Sequence, residues 1–252
     1  MLGAIPVVAA LVLWWSLTAG PVENRRIGPS ILPNPVEVFS PQDSVIPLVR
    51  DRNLTRHILI SLRRVSLSYV VALAVAFPLG VLMGSFRNMR AVFAPSTTAS
   101  GYVPIATLVP LTMSWFGTGE VQKVVFLSLA FAVYLLPAII AAIDSVDDVY
   151  IRTASTLGGS RWQIIRYVLV PIAMPDIWHS MRLAFGVGWT YLVLAEVVVL
   201  ADGLGYLISM SQRRGPREHI YLVILVITLV AWVSDLLWSR LGRVLFRHRG
   251  AA

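Results

Sequence analysis

The chain has 252 residues, 57% of them hydrophobic and 13% charged, with a mean hydropathy of +0.74; a soluble domain carries about 25% charged residues, so water is not the main solvent of this protein. The net charge of +8 comes from 20 Arg and one Lys scattered between apolar runs. A nucleic-acid surface would gather that charge on one soluble face, whereas arginines between apolar runs fit membrane-flanking anchors and exclude nucleic acid as a partner.

Several stretches of about 18 or more residues are nearly free of charge, enough to cross a hydrocarbon core of about 30 Å as a helix. Runs such as Val65 to Gly84 and Ile220 to Trp232 are apolar on every face, which argues against the alternating segments of a membrane β-barrel. The fold class expected is an all-α membrane protein of about six transmembrane helices. The first span runs from Ala4 to Ala19; no Lys or Arg precedes it and Trp14 and Trp15 sit near its end as interfacial anchors, so it is a retained helix rather than a secretory signal. From Pro21 to His57 the chain turns polar and Pro21, Pro29, Pro33, Pro35, Pro41 and Pro47 exclude long helices, which predicts an exposed loop or short interfacial segments.

The second span, Leu59 to Phe86, carries Gly80 and Gly84 in a small-xxx-small pattern that lets another helix approach, from within the chain or from a second copy. Between Phe93 and Gly119 the apolar stretch is interrupted by Pro95, Gly101, Pro104, Pro110, Gly117 and Gly119. Irregular backbone at membrane depth survives only against protein or a watery cavity, so this broken span, with Pro104, Met113 and Trp115, is a candidate for the translocation pathway. The fourth span is Val121 to Ile143, the fifth Ile177 to Ala201 and the sixth Ile220 to Ser239, before a tail with Arg240, Arg243, Arg247 and Arg249. Six spans and that basic tail place both termini in the cytoplasm, although Arg213, Arg214 and Arg217 then lie outside.

Catalytic signatures are missing. The only lysine, Lys123, follows Gln122, so no phosphate-binding Gly-Lys-Ser/Thr loop exists and the chain cannot hydrolyse ATP in that way. With no cysteine, and with His57, His179, His219 and His248 isolated, no metal-ligand spacing occurs. There is no Gly-x-Ser-x-Gly or His-Glu-x-x-His, and carboxylates cluster only at Asp144, Asp147 and Asp148. Neither enzyme activity nor a cofactor of its own is expected.

The polar stretch from Asp144 to Tyr167 contains Tyr150-Ile-Arg-Thr-Ala-Ser-Thr-Leu-Gly-Gly-Ser160, followed by Arg-Trp-Gln-Ile-Ile-Arg-Tyr-Val-Leu-Val-Pro171. Helix formers up to Leu157 meet Gly158-Gly159, where a positive φ carries no steric cost, and Ser160 caps a second short helix that Pro171 is expected to stop. An amphipathic interfacial linker would show similar residues. Here the chain resembles the inner-membrane permeases of binding-protein-dependent ABC importers, whose cytoplasmic loop reads Glu-Ala-Ala, three residues, Gly, nine residues, Ile-x-Leu-Pro. Ala154, Gly158 and Pro171 match, with Val168 and Val170 as apolar equivalents, while Arg152 and Thr153 replace the Glu and the first Ala.

The resemblance extends through Leu32-Pro-Asn-Pro-Val-Glu-Val-Phe39, the Pro104 to Glu120 stretch, Gly186 to Glu196 and Gly203-Leu-Gly-Tyr206 to the nitrate, sulfonate, taurine and bicarbonate-type subfamily. It implies a type I (MetI-like) importer permease fold. It implies an N-terminal helix with a Pro-rich loop over 1–56, a permease domain over 57–245 and a basic tail over 246–252. The ATPase-coupling loop, 144–171, would use Arg152, Thr153, Ala154, Gly158, Gly159 and Pro171. It further implies a bacterial inner membrane location, a second copy of the chain, two cytoplasmic ATPase subunits that bind the ATP, an extracytoplasmic substrate-binding protein, and a small anion as cargo. A stand-alone secondary transporter or channel is the competing function, but such a protein has no reason to present a helix pair to a motor, and no internal duplication supports a carrier.

On the fifth span, at about 100° per residue, Arg182, Gly186, Trp189, Val193 and Glu196 fall near one line. Gly186, Trp189 and Glu196 are therefore further pathway candidates. A carboxylate at such a depth costs about 2.5–3.5 kcal/mol on insertion scales, so Glu196 is expected to face the bundle interior or a cavity, paired or protonated. A packing interaction, for instance with Arg213, is the other role open to it.

Overall fold

The computed structural model describes residues 5–20, 25, 27–29, 31–198 and 202–247. Arg249 and His248 of the tail, Ala4 and the end of the fifth predicted span at 199–201 lie outside the described residues. All regular elements among those described are helical. In order they are α1 (Ile5–Thr18), α2 (Pro35–Val38), a π-turn at Pro41–Val45, α3 (Ile46–Arg50), α4 (Leu54–Ser85), α5 (Arg87–Ser100), a 3-10 turn at Ile105–Thr107 and α6 (Leu108–Phe116). Then follow α7 (Glu120–Asp144), α8 (Asp148–Thr156), α9 (Arg161–Ile164), a π-turn at Ile165–Leu169, α10 (Val170–Val198), α11 (Leu204–Arg214) and α12 (Glu218–Leu245).

Among the described residues, four helical stretches are long and apolar enough to cross a membrane: Leu54–Ser85, Glu120–Asp144, Arg161–Val198 and Glu218–Leu245. Ile5–Thr18 and Ile105–Phe116 are shorter apolar helices, so all six expected apolar regions are helical. The proline-rich segment does not stay a plain loop. Asn34 and Glu37 close a capping box around α2, and the Pro41–Val45 turn leads straight into α3.

Contacts divide the chain into two compact units, one formed by residues 1–61 and 196–229, the other by 62–195 and 230–252. In the first, the Trp14 indole donates to the Pro33 carbonyl at 2.9 Å and stacks on Tyr221 with centroids 6.0 Å apart. The Tyr221 hydroxyl in turn donates to the Ile31 carbonyl at 2.8 Å. Arg25 sits 2.7 Å from Glu37 and holds that carboxyl below the usual carboxylate range. Backbone carbonyls and capped short helices thus satisfy a segment that has no long helix of its own.

In the second unit α4 lies against α7. A Cβ at Gly80 would come within 2.7 Å of Ile139 Cγ2, and one at Gly84 within 2.6 Å of Ile143 Cγ2. The small-xxx-small pattern is thus used within the chain. Tyr69 is the hub of the aromatic core, edge-on to Phe131 and Phe185 at 5.1 Å each and to Trp238 at 5.7 Å, with its hydroxyl donating to the Met181 carbonyl at 2.9 Å.

One expectation is overturned. Pro171 does not stop the helix that Ser160 begins; the helix runs on from Arg161 to Val198. A proline in a helix lacks the N–H and pushes against the carbonyl four residues back. Here the π-turn at Ile165–Leu169 lies immediately ahead, closed by Val170 N–H donating to the Ile165 carbonyl, and its wider ring accommodates the proline. The fifth span consequently starts well before Ile177.

Candidate functional site: the α8–α9 loop and the Glu196 cap

α7 ends at Asp144, and the chain turns into α8 with Asp147 as its cap, its side chain accepting from Val149 N–H at 2.9 Å. After α8 and its C-cap Leu157 comes Gly158 with φ +82°, a value that disfavours any residue bearing a Cβ. Ser160 then forms a capping box with Gln163: its N–H donates to Gln163 Oε1 at 2.8 Å and its hydroxyl accepts from Gln163 N–H at 3.4 Å. Gly159 serves close approach, since a Cβ there would meet the Ala154 carbonyl oxygen at 2.9 Å. Ala154, Gly158, Gly159 and Tyr167 line one open cavity of about 370 Å³.

The exposed side of α8 mixes apolar and polar side chains. Val149, Tyr150 and Leu157 are exposed, Leu157 at 83%, with Trp162 exposed on α9. Arg152 points outward as well: its side chain is 81% exposed and pairs with Asp148 at 3.5 Å, one turn back. Such an exposed pair contributes about 0.3–0.5 kcal/mol. The Thr153 hydroxyl is turned back to the Val149 carbonyl at 2.8 Å. Five of the six coupling candidates lie in α8 and the turn after it, and Pro171 lies at the start of α10.

Glu196 belongs to a second constellation, in the first unit. It is fully buried. Ser61 Oγ lies 2.8 and 2.9 Å from its two oxygens, and Gly205 N–H donates to Oε2 at 2.9 Å. Leu204 N–H donates to Ser61 Oγ at 2.9 Å, and Gly203 N–H to His57 Nδ1 at 2.9 Å, which leaves the neutral ring's proton on Nε2. The first N–H groups of α11 are therefore capped by side chains from α4 and α10, with a carboxylate at the positive end of the helix. Gly203 has φ +105° and ψ 175°, a region essentially reserved for glycine, and a Cβ there would lie 2.2 Å from the Glu196 carboxyl carbon. Arg213 is exposed on α11, while the Glu196 carboxylate is met by the Ser61 hydroxyl and the Gly205 N–H.

The remaining pathway candidates separate by burial. Pro104, Trp115 and Gly186 are exposed and Met113 is half-buried. Trp189 is buried, and its indole N–H makes no hydrogen bond among the described residues. Sequence reasoning missed other groups. Arg64 is buried and paired with Glu120 through both guanidinium and carboxylate edges, and the buried Lys123 ammonium is 3.5 Å from the same carboxylate. Arg182 makes a bidentate pair with Asp235 at 2.5 and 2.6 Å.

The family model described as binding-protein-dependent transport system inner membrane component matches residues 76–249. The chain belongs to that family. It is 30% identical over 233 residues to the taurine transport system permease protein TauC of Escherichia coli (strain K12), covering 90% of this chain and 82% of that protein. To the putative aliphatic sulfonates transport permease protein SsuC of Bacillus subtilis (strain 168) it is 27% identical over 245 residues, covering 96% and 86%. Among solved structures, the inward-facing MetNI methionine ABC transporter superposes with a TM-score of 0.69 at 19% identity, covering 76% of this chain and 95% of that one. That likeness identifies the fold as the MetI-like, type I importer permease fold.

Proposed function

We propose that this chain is the membrane-spanning permease of an ATP-driven, binding-protein-dependent importer for a small anion of the sulfonate class. The observation that carries the coupling half of this reading is α8: a short capped helix with exposed Val149, Tyr150 and Leu157, ended by a left-handed glycine directly after a membrane span. An exposed apolar face outside the hydrocarbon fits a protein partner, and an ATPase is the partner an importer permease needs. Arg152 supplies a cation at that surface. Similarity to TauC and SsuC, whose names give taurine and aliphatic sulfonates, supports a cargo that carries an anionic sulfonate group.

In this reading two copies of the chain sit in the inner membrane with both termini and the α8–α9 loop in the cytoplasm. Two separate subunits bind and hydrolyse ATP, and a binding protein delivers substrate from outside. Because the chain has no cysteine, a single Ser160→Cys gives a clean probe of orientation. It is expected to resist an impermeant thiol reagent in intact cells and to react after permeabilisation, and to be shielded when the ATPase subunits are bound. Labelling in intact cells would overturn the arrangement.

A further inference from the structure

Where a span meets lipid, its exposed side chains must be hydrocarbon or hide their polar groups. α12 obeys this: Leu225, Leu229, Trp232, Val233 and Leu237 are exposed, and its Thr228 hydroxyl folds back on the Ile224 carbonyl at 2.9 Å. A face shared by α7 and α10 does not. Tyr134 and Tyr191 bring their hydroxyls within 2.9 Å of each other near mid-span, and Tyr134 stays 42% exposed. One proton serves that bond, so the other hydroxyl's proton has no acceptor among the described residues.

The hydroxyl of Thr190, exposed beside Tyr191, makes no hydrogen bond among the described residues, although the Gly186 carbonyl stands one turn back, at the spacing that the Thr228 hydroxyl uses on Ile224. Gly186 itself is exposed and nothing lies within 4 Å of where its Cβ would be. Along α7 the same exposed line continues through Pro137 and Ala141 into a groove of about 310 Å³, whose other wall carries Arg90, Thr97 and Thr98 from α5. Hydroxyls left open at mid-span, open space beside them and a groove in line that admits an arginine, an aspartate and two threonines do not describe a lipid-facing surface.

We propose that this face of α7 and α10 is a water-filled wall of the translocation pathway, and that the Tyr134 and Tyr191 hydroxyls with Thr190 form a neutral donor station for the anionic substrate. The cargo rests on the function proposed above; the wetting does not. Neutral hydroxyls suit passage, because binding must be strong enough to admit an ion and weak enough to release it. A fixed arginine at the same depth would hold an anion more firmly.

The test uses the complex assembled with its ATPase and binding-protein partners in lipid nanodiscs. Thr190→Cys, with Leu229→Cys on α12 as the lipid-facing control, is treated with the anionic reagent 2-sulfonatoethyl methanethiosulfonate. Thr190→Cys is expected to react about tenfold faster or more, since thiol reaction requires an ionisable, wetted sulfur. In liposomes, Tyr134→Phe/Tyr191→Phe should assemble with its partners and lose about tenfold in taurine uptake, the equivalent of one charge-assisted hydrogen bond. Reaction no faster than the control overturns the proposal, as does reaction that begins only when the two copies are separated, which would make the face a subunit interface. Wild-type uptake by the double Phe variant removes the station. A wild-type complex that moves no anion while Thr190→Cys still reacts overturns the cargo alone.

Discussion

Replacing Glu196 by leucine sets two effects against each other. On insertion scales, exchanging a carboxylate for an aliphatic chain in a span favours the variant by about 3 kcal/mol. That gain belongs to a side chain facing lipid, and Glu196 is fully buried with its oxygens occupied by Ser61 and Gly205. Leucine would leave the buried Gly205 N–H without its acceptor and take the acceptor from the Ser61 hydroxyl, at about 1–3 kcal/mol for each orphaned group. The favourable charge at the start of α11 is lost as well, worth about 0.3–2 kcal/mol. The balance is a loss of several kcal/mol, and at about 2–4 °C per kcal/mol a clear fall in melting temperature. Glutamine keeps one carbonyl for Gly205 and can donate to Ser61, so it should assemble near wild-type levels with altered transport, whereas the leucine variant loses both. Fluorescence-detected size exclusion after graded heating, paired with liposome uptake, reads both quantities. A leucine variant as stable and active as wild type would refute the capping role.

Other consequences follow from single contacts. Gly158→Val meets nothing within 4 Å of its Cβ, so its cost is the backbone's, about 1–2 kcal/mol at φ +82°, and it should tilt α8 and uncouple ATP hydrolysis from uptake; wild-type values of both in vesicles would contradict this. Gly84→Leu forces its side chain into Ile143 and should cost about 1–3 kcal/mol, part of which Ile143→Ala should restore in a double-mutant cycle of thermal stability. Neutralising either Arg182 or Asp235 alone strands the other charge at membrane depth and should lower the yield of folded protein. The swapped pair Arg182→Asp/Asp235→Arg should recover part of that yield.

What the sequence made legible was local. Charge-free length located the apolar helices, and the Gly-Gly-Ser run at 158–160 announced the turn and the serine cap of the α8–α9 loop, because those signals depend only on neighbours. The course of the chain through Pro171 was not legible, since a π-turn leaves no residue pattern and a proline ordinarily reads as a stop. Pairings across the fold were hidden for a different reason. Ser61 and Glu196 are 135 residues apart, and Tyr134 and Tyr191 are 57 apart. A lone hydroxyl in an apolar span looks the same whether it faces packing, lipid or water. Periodicity placed Trp189 and Glu196 on one line of the fifth span, and both are buried; it could not say that Gly186, on the same line, opens on space. Lys123 was informative first by excluding a phosphate loop, and only the fold revealed its burial beside Glu120.

The most direct measurement is uptake of labelled taurine into liposomes holding this chain with its ATPase subunits, with ATP trapped on the ATPase side and the binding protein on the other. The account predicts accumulation that stops when ATP, the ATPase subunits or the binding protein is withheld. Equal uptake by the chain alone, without ATP or partners, would contradict it and identify a stand-alone carrier.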